Sequence, residues 1–271
     1  MRSTIGFAGL ALALIFPGAL RAETINCTDV TGVPAFITAP GIYCLKSSLT
    51  SEIHIQADDV VLDLNGYVLD TSNWGASAGI SSYDRQNITI RNGTVRGFHT
   101  AIQLDGKKSR GHLIEYMRLT DNAGPGVSVS GDGSVVRHNM LINNGYAPGA
   151  GARYGLLAVG DGIHIADNQV VETGVGATNE VVGIRVGGSG IAIERNVVSN
   201  AEIGPHDSRG ILVSGTPGMG RNSVVNNRVV NMKLGIWNSS GIAVFMDNTV
   251  GGATAAPFLG GVMAGTTNTS F

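Results

Sequence analysis

The sequence predicts an all-β solenoid of roughly eight coils with three short strands per coil, and two interlocked patterns predict it. The first pattern, apolar-x-x-Asn-x-apolar, occurs at Val136/Asn139/Leu141, Ile165/Asn168/Val170, Ile193/Asn196/Val198, Val224/Asn227/Val229 and Phe245/Asn248/Val250. Successive asparagines are 29, 28, 31 and 21 residues apart. The second pattern is a Gly-apolar or Ala-apolar pair that opens an alternating strand at Ile80, Ile102, Val127, Leu156, Ile184, Ile211, Ile236 and Val262. In five cases the apolar residue stands 12 positions before an asparagine: Ile80/Asn92, Val127/Asn139, Leu156/Asn168, Ile184/Asn196 and Ile236/Asn248. A fixed offset inside a variable period divides every coil into a rigid half and an elastic half.

Composition agrees. Glycine is 40 of 271 residues, about twice its usual share, while hydrophobic residues make up 43% and charged ones 14%, so the chain is rich in turns yet able to bury a core. Leucine-rich repeats also carry an asparagine among apolar residues, and "IHIADNQV" fits that string. Of the ten apolar residues flanking the five asparagines, however, only Leu141 is leucine, and most are the β-branched Val and Ile that favour strands. The rest of each repeat is Gly- and Ser-rich and alternates with period two, so three strands fit better than a strand and a helix.

From the N-terminus, Arg2, the apolar run Ile5 to Phe16, Pro17, Gly18 and Ala22 read as a secretory signal peptide over residues 1–22, leaving a mature domain over 23–271. The apolar run is too short to span a bilayer, and no later segment spans one, so a secreted or periplasmic protein without a transmembrane anchor is expected. Removing Arg2 and Arg21 from 18 basic residues leaves 16 against 20 acidic ones, a net charge of −4 that argues against nucleic acid as a partner. Cys27 and Cys44 read as one disulfide closing an N-terminal loop, since no further Cys or suitably spaced His pair joins them as a metal site. Next come Asn-Gly forms of the repeat at "LNGYV" (Asn65) and "RNGTV" (Asn92), then "IEYMRL" with Tyr116 in the asparagine's place. The five full repeats follow, separated by elastic stretches such as "INNGYAPGAGARY" and "SNAEIGPHDSR".

With these repeats and the opening "ITAPGIYCLKSSLTSEIHIQADDVVLDLNGYVLD", the chain resembles the single-stranded right-handed parallel β-helix of the pectate-lyase-like superfamily over nearly its whole mature length. The resemblance implies that Asn139, Asn168, Asn196, Asn227 and Asn248 each mark a tight turn between two strands and stack into a ladder at the strand spacing of about 4.8 Å. It also implies a polysaccharide groove on the outer face of the Gly-apolar strand. In "GIRVG" Ile184 and Val186 point inward, so Arg185 points out. The outward row is then Ser81, Gln103, Ser128, Leu157, Arg185, Leu212, Trp237 and Met263, with Leu212, Trp237 and Met263 as an apolar platform edged by Arg185.

Candidate chemistry concentrates in "EIGPHDSRG", an elastic loop with Glu202, His206, Asp207 and Arg209 that would overhang Arg185 and Trp237. Pro205-His206-Asp207 resembles the tail of the Asp-Pro-His-Asp/Glu motif of alginate C5-epimerases, although Gly204 replaces the first Asp and Ala201 stands where a Tyr belongs. In such enzymes a basic group neutralises the uronate carboxylate while an acid and a base move the C5 proton. The candidate catalytic residues are therefore His206, Asp207, Arg185 and Arg209, and the candidate substrate-binding residues are Trp237, Arg185 and Gln103. Asp132 and Asp161 sit in "GDG" and read as turn residues; Asp105 shares an outward face with Gln103. The expected function is binding of a polysaccharide or cell-surface glycan on the outer groove, with no cofactor or metal. A polysaccharide lyase or uronate C5-epimerase is the alternative. A periplasmic copper-maturation accessory protein, which would use His54, His99, His112, His138, His164 and His206, is a second.

Overall fold

The computed structural model describes residues 23–71, 77–146, 153–174, 180–201, 207–215, 221–240, 242–265 and 267–271. The expected leader lies outside them. Among the described residues there are strands and no helices, arranged in one sheet of eighteen strands and one of ten, and the coils pair in parallel. Pairings recur in threes. Arg153–Val159, Val181–Gly187, Ser208–Ser214 and Leu234–Ser240 stack in the ten-stranded sheet. The two strands that follow each of them stack in the eighteen-stranded sheet, as His164–Ala166 does on Ala192–Glu194 and Gln169–Val171 on Val197–Ser199. The chain is thus a parallel β-solenoid.

Glycine stands just inside the first strand of a coil for a steric reason. A Cβ on Gly183 would stand 2.2 Å from Val198 Cγ1, and one on Gly210 2.2 Å from Val229 Cγ1, so in these coils the backbone passes too close to the core for a side chain; at the matching place before Ile102 the small Ala101 fits. The apolar residue after it points inward. Ile80, Ile102, Val127, Leu156, Ile184, Ile211 and Ile236 follow one another in register and are fully buried. Val262 does not continue the series. It pairs with Val244 in the other sheet, and Phe258 takes the position after Ile236. The cue fails because the residue in line with Gly235 is Pro257, at home in an outermost strand where its missing N–H breaks no ladder.

Each repeat asparagine is buried and directly follows a residue in the left-handed backbone region: His138, Asp167, Arg195, Asn226 and Asp247, with φ between 52° and 56°. The chain turns at the first residue, and the amide of the second satisfies the turn. Asn139 Nδ2 donates to Asn168 Oδ1 at 3.0 Å, Asn168 to Asn196 at 3.0 Å, Asn196 to Asn227 at 3.0 Å and Asn227 to Asn248 at 3.1 Å. Each Oδ1 also accepts the backbone N–H of the asparagine before it, and each Nδ2 also donates to a carbonyl of the preceding coil, as Asn196 does to Ile165. Asn268 adds a sixth rung at 3.0 Å from Asn248. Asn65, Asn92 and Tyr116 occupy a different slot from the one expected. They are the left-handed turn residues, with φ of 50°, 58° and 54°. The rung position beside them falls to Gly93 and to Met117, whose N–H donates to Asn139 Oδ1 at 2.9 Å.

At the N-terminal end Cys27 and Cys44 form the expected disulfide, with Cα atoms 5.8 Å apart, and Thr28–Asp29 pairs with Tyr43–Cys44. Behind it the Asp63 carboxylate accepts from Thr24 Oγ1 at 2.7 Å, Arg91 Nε at 2.9 Å, the Asn65 N–H at 2.8 Å and Asn92 Nδ2 at 3.1 Å. Burial alone would raise this carboxyl, but the hydrogen bonds from Thr24, Asn65, Asn92 and Arg91 outweigh it and hold it below its ordinary value. Cys27→Ser is expected to lower stability by about 2–3 kcal/mol by freeing the unfolded chain. Urea unfolding reads this directly, and an unchanged midpoint would show that the bridge holds nothing in place.

Candidate functional site

The outer face of the ten-stranded sheet carries one continuous row of side chains. It runs Phe36, His54, Ser81, Gln103, Ser128, Leu157, Arg185, Leu212, Trp237 and Leu259, each opposite the next in register. Gln103, Arg185 and Trp237 therefore share a face, as expected. Met263 does not share it; it lies opposite Phe245 in the other sheet, and Leu259 holds the place beyond Trp237. Leu212, only 5% exposed, is no part of a solvent-facing platform.

Toward the C-terminal end two arginines meet two aromatic rings. Arg185 Nη1 donates to the Tyr154 hydroxyl at 2.5 Å, with the guanidinium 5.4 Å from the ring centre. Arg209 lies 4.2 Å over the Trp237 indole, pairs with Glu180, and donates from Nη2 to Asp207 at 2.7 Å. Arg209 is in the strand Ser208–Ser214, opposite Val182 and Leu234, and not in the loop where the sequence reading put it. The strand starts earlier because the N–H of Val181 already pairs with the Asp207 carbonyl. His206 and Glu202 lie outside the described residues.

Sequence reasoning missed Tyr154, Glu180 and Lys233, whose Nζ is 4.0 Å from Asp207. A signal for two of them was present. Glu180, Asp207 and Lys233 each stand shortly before a Gly-apolar pair, so charge recurs at one place in three successive coils.

Toward the N-terminal end the same face sinks into a hollow of about 760 Å³ lined by His54, Ser81, Tyr83, Arg85, Gln103 and Asp105 among others. His54 Nδ1 is 2.8 Å from Ser81 Oγ, and its ring stacks on Phe36 with centroids 5.1 Å apart. The Asp105 carboxylate accepts from Gln103 Nε2 at 2.7 Å and Ser130 Oγ at 2.8 Å, so Gln103 is held by its own face.

The other described histidines are placed separately. His99 Nδ1 is 3.2 Å from Thr100 Oγ1, His112 is buried beside Ser109, His138 stacks on Tyr116, and His164 is 3.7 Å from Glu194. Among the described residues, Cys27, Asp29 and Cys44 are the one group of three side chains of metal-binding type that converge, and the two sulfurs are already joined. No helix among the described residues is long and apolar enough to cross a membrane.

The chain is similar to an alginate lyase from Paenibacillus sp. str. FPU-7 at 13% identity and a TM-score of 0.44, covering 83% of this chain and 91% of that one. It is similar to the A-module of a mannuronan C-5 epimerase from Azotobacter vinelandii at 16% identity and a TM-score of 0.47, covering 83% and 67%. It is also similar to the catalytic domain of a GH87 α-1,3-glucanase in complex with nigerose, at 12% identity and a TM-score of 0.40, covering 89% and 62%. No curated protein sequence matches it. The family model described as "Right handed beta helix region" matches residues 71–253, more than half of the chain, and it does so over the repeats whose register is set out above: the chain belongs to the right-handed β-helix family.

Proposed function

We propose that this is a secreted or periplasmic protein that binds a polysaccharide or cell-surface glycan along the outer face of its ten-stranded sheet. The observation that carries the reading is the placement of Arg185 and Trp237 in one outward row, two strands apart, which is about 10 Å. Such a span suits neighbouring sugar rings on an extended chain. Trp237 offers a planar face for a pyranose, and Arg185, with no carboxylate partner among the described residues, offers donors to a uronate carboxylate. The Cys27–Cys44 bridge agrees with an oxidising compartment.

Arg185→Ala and Trp237→Ala are each expected to weaken polysaccharide binding about tenfold. Calorimetric titration against uronate and neutral polymers checks this, and wild-type affinity in both variants would rule out the face. The lyase or C5-epimerase alternative depends on His206 with Asp207. Under that reading His206→Ala abolishes new unsaturated ends or changed C5 stereochemistry while binding persists; under the binding reading it changes little.

A further inference from the structure

Arg85 stands out in the hollow at the N-terminal end of the same face. Its Nε is sealed from solvent without a hydrogen-bond partner, and among the described residues its guanidinium makes no ion pair. Asp84 beside it, and the two acids bonded to its neighbours Gln86 and Asn87, are engaged elsewhere. Asp58 accepts from the Gln86 N–H at 3.0 Å, Asp59 from Asn87 Nδ2 at 2.9 Å, and Asp84 from the Lys108 N–H at 3.0 Å. Asp105, across the hollow, is held by Gln103 and Ser130. Arg85 also lines the hollow, so an anion entering it meets a guanidinium that no acid among the described residues neutralises. In the same lining Tyr83 is 68% exposed, so a flat aromatic ring shares the hollow with the charge.

We infer that this hollow is a subsite for an anionic sugar, with Arg85 receiving a carboxylate or sulfate ester two-pronged, Tyr83 packing on the ring, and the Asp105–Gln103 pair accepting from and donating to its hydroxyls. The subsite rests on the polysaccharide-binding reading and deepens it. It lies on the same row as Arg185 but beyond the span from Arg185 to Trp237, since Gln103, Ser128 and Leu157 precede Arg185 in register. A glycan filling both ends must be long, anionic and extended along the solenoid axis.

The test is calorimetric titration of an oligouronate and of its carboxyl-reduced neutral counterpart against wild type, Arg85→Gln and Trp237→Ala. Wild type is expected to prefer the oligouronate at least about tenfold. Arg85→Gln should lower that preference at least about threefold, Arg185 keeping the remainder, while neutral binding persists, and Trp237→Ala should weaken both ligands alike. An undiminished preference in Arg85→Gln, or none in wild type, overturns the subsite and leaves the glycan-binding reading standing. Failure of wild type to bind either ligand overturns both. Should Arg85→Gln not fold, the arginine Nε–Hε resonances of the labelled wild type decide: the Arg85 signal must shift with the oligouronate and not with the neutral ligand.

Discussion

Replacing Asn196 by leucine is expected to destabilise the protein by about 3–5 kcal/mol, although the side chain is matched in shape. Asn196 is fully buried in mid-ladder. Its Oδ1 accepts from both the N–H and Nδ2 of Asn168, and its Nδ2 donates to Ile165 O at 2.9 Å, Glu194 O at 3.0 Å and Asn227 Oδ1 at 3.0 Å. Leucine leaves the Asn168 N–H without its acceptor in a dry interior, at about 1–3 kcal/mol, and strips one partner each from Asn168 Nδ2 and Asn227 Oδ1, which keep the Val136 carbonyl and the backbone N–H of residue 196. Asn268, the last rung, is half-buried and faces no further asparagine among the described residues, so Asn268→Leu should cost only about 1 kcal/mol. Urea unfolding of the two variants measures the contrast. Equal losses would show that the ladder does not carry its stability through the buried middle.

Acidification from pH 6.5 to pH 4 is expected to remove about 3 kcal/mol through His112 alone. The Ile88 N–H donates to Nδ1 at 3.3 Å, so the ring proton sits on Nε2 and faces Ser109 Oγ at 2.7 Å. A second proton would set a donor against a donor. Burial pushes this imidazole down to about 4, against a smaller raising pull from Asp58. In the window between about 4 and the ordinary 6.5 only the unfolded chain takes the proton, so stability falls as pH falls there and is indifferent to His112 above it. Asp63 acts in a more acidic window. Its carboxyl is held below its ordinary value, so its contribution starts to fade only as pH approaches that ordinary value and is mostly lost under stronger acid. Unfolding free energy measured across pH 3.5–8 in wild type and His112→Gln separates the two. A slope between pH 4 and 6.5 that survives in His112→Gln would assign it to other groups.

The repeat asparagines and the Gly-apolar strands were legible in the sequence because each answers one steric or polar demand that recurs in every coil. The misreadings come from one residue type meeting two demands. Asn92 resembles a rung, but asparagine is also the residue that best tolerates the left-handed turn, and Asn92 serves that use one position early. In the last coil the outermost strand carries Pro257 where inner coils have glycine or alanine, so the next Gly-apolar pair, Gly261-Val262, falls too late. On the outer face the row itself followed from alternation, and Gln103, Arg185 and Trp237 fell in line. Their partners did not, because Tyr154 and Glu180 reach the face from strand starts whose position depends on stretches of variable length, while Arg85 sits inside the fixed half of its coil, where alternation does not mark a turn residue as part of the face. Asn268 was passed over because no apolar residue stands three positions before it.

The rungs are 20 to 31 residues apart along the chain, yet each is joined to the next by a side-chain hydrogen bond of 3.0 to 3.1 Å. Gathering a stretch of 31 residues costs only about 0.4 kcal/mol more than gathering one of 20, since closure grows with the logarithm of length. Each coil is thus added to the one before it at nearly the same entropic cost, however many coils precede it. Folding can proceed as growth on an existing end, with no contact that must wait for the two ends of the chain to find each other. The stretches between repeats can therefore lengthen or shorten freely, while the scaffold assembles by the same step every time.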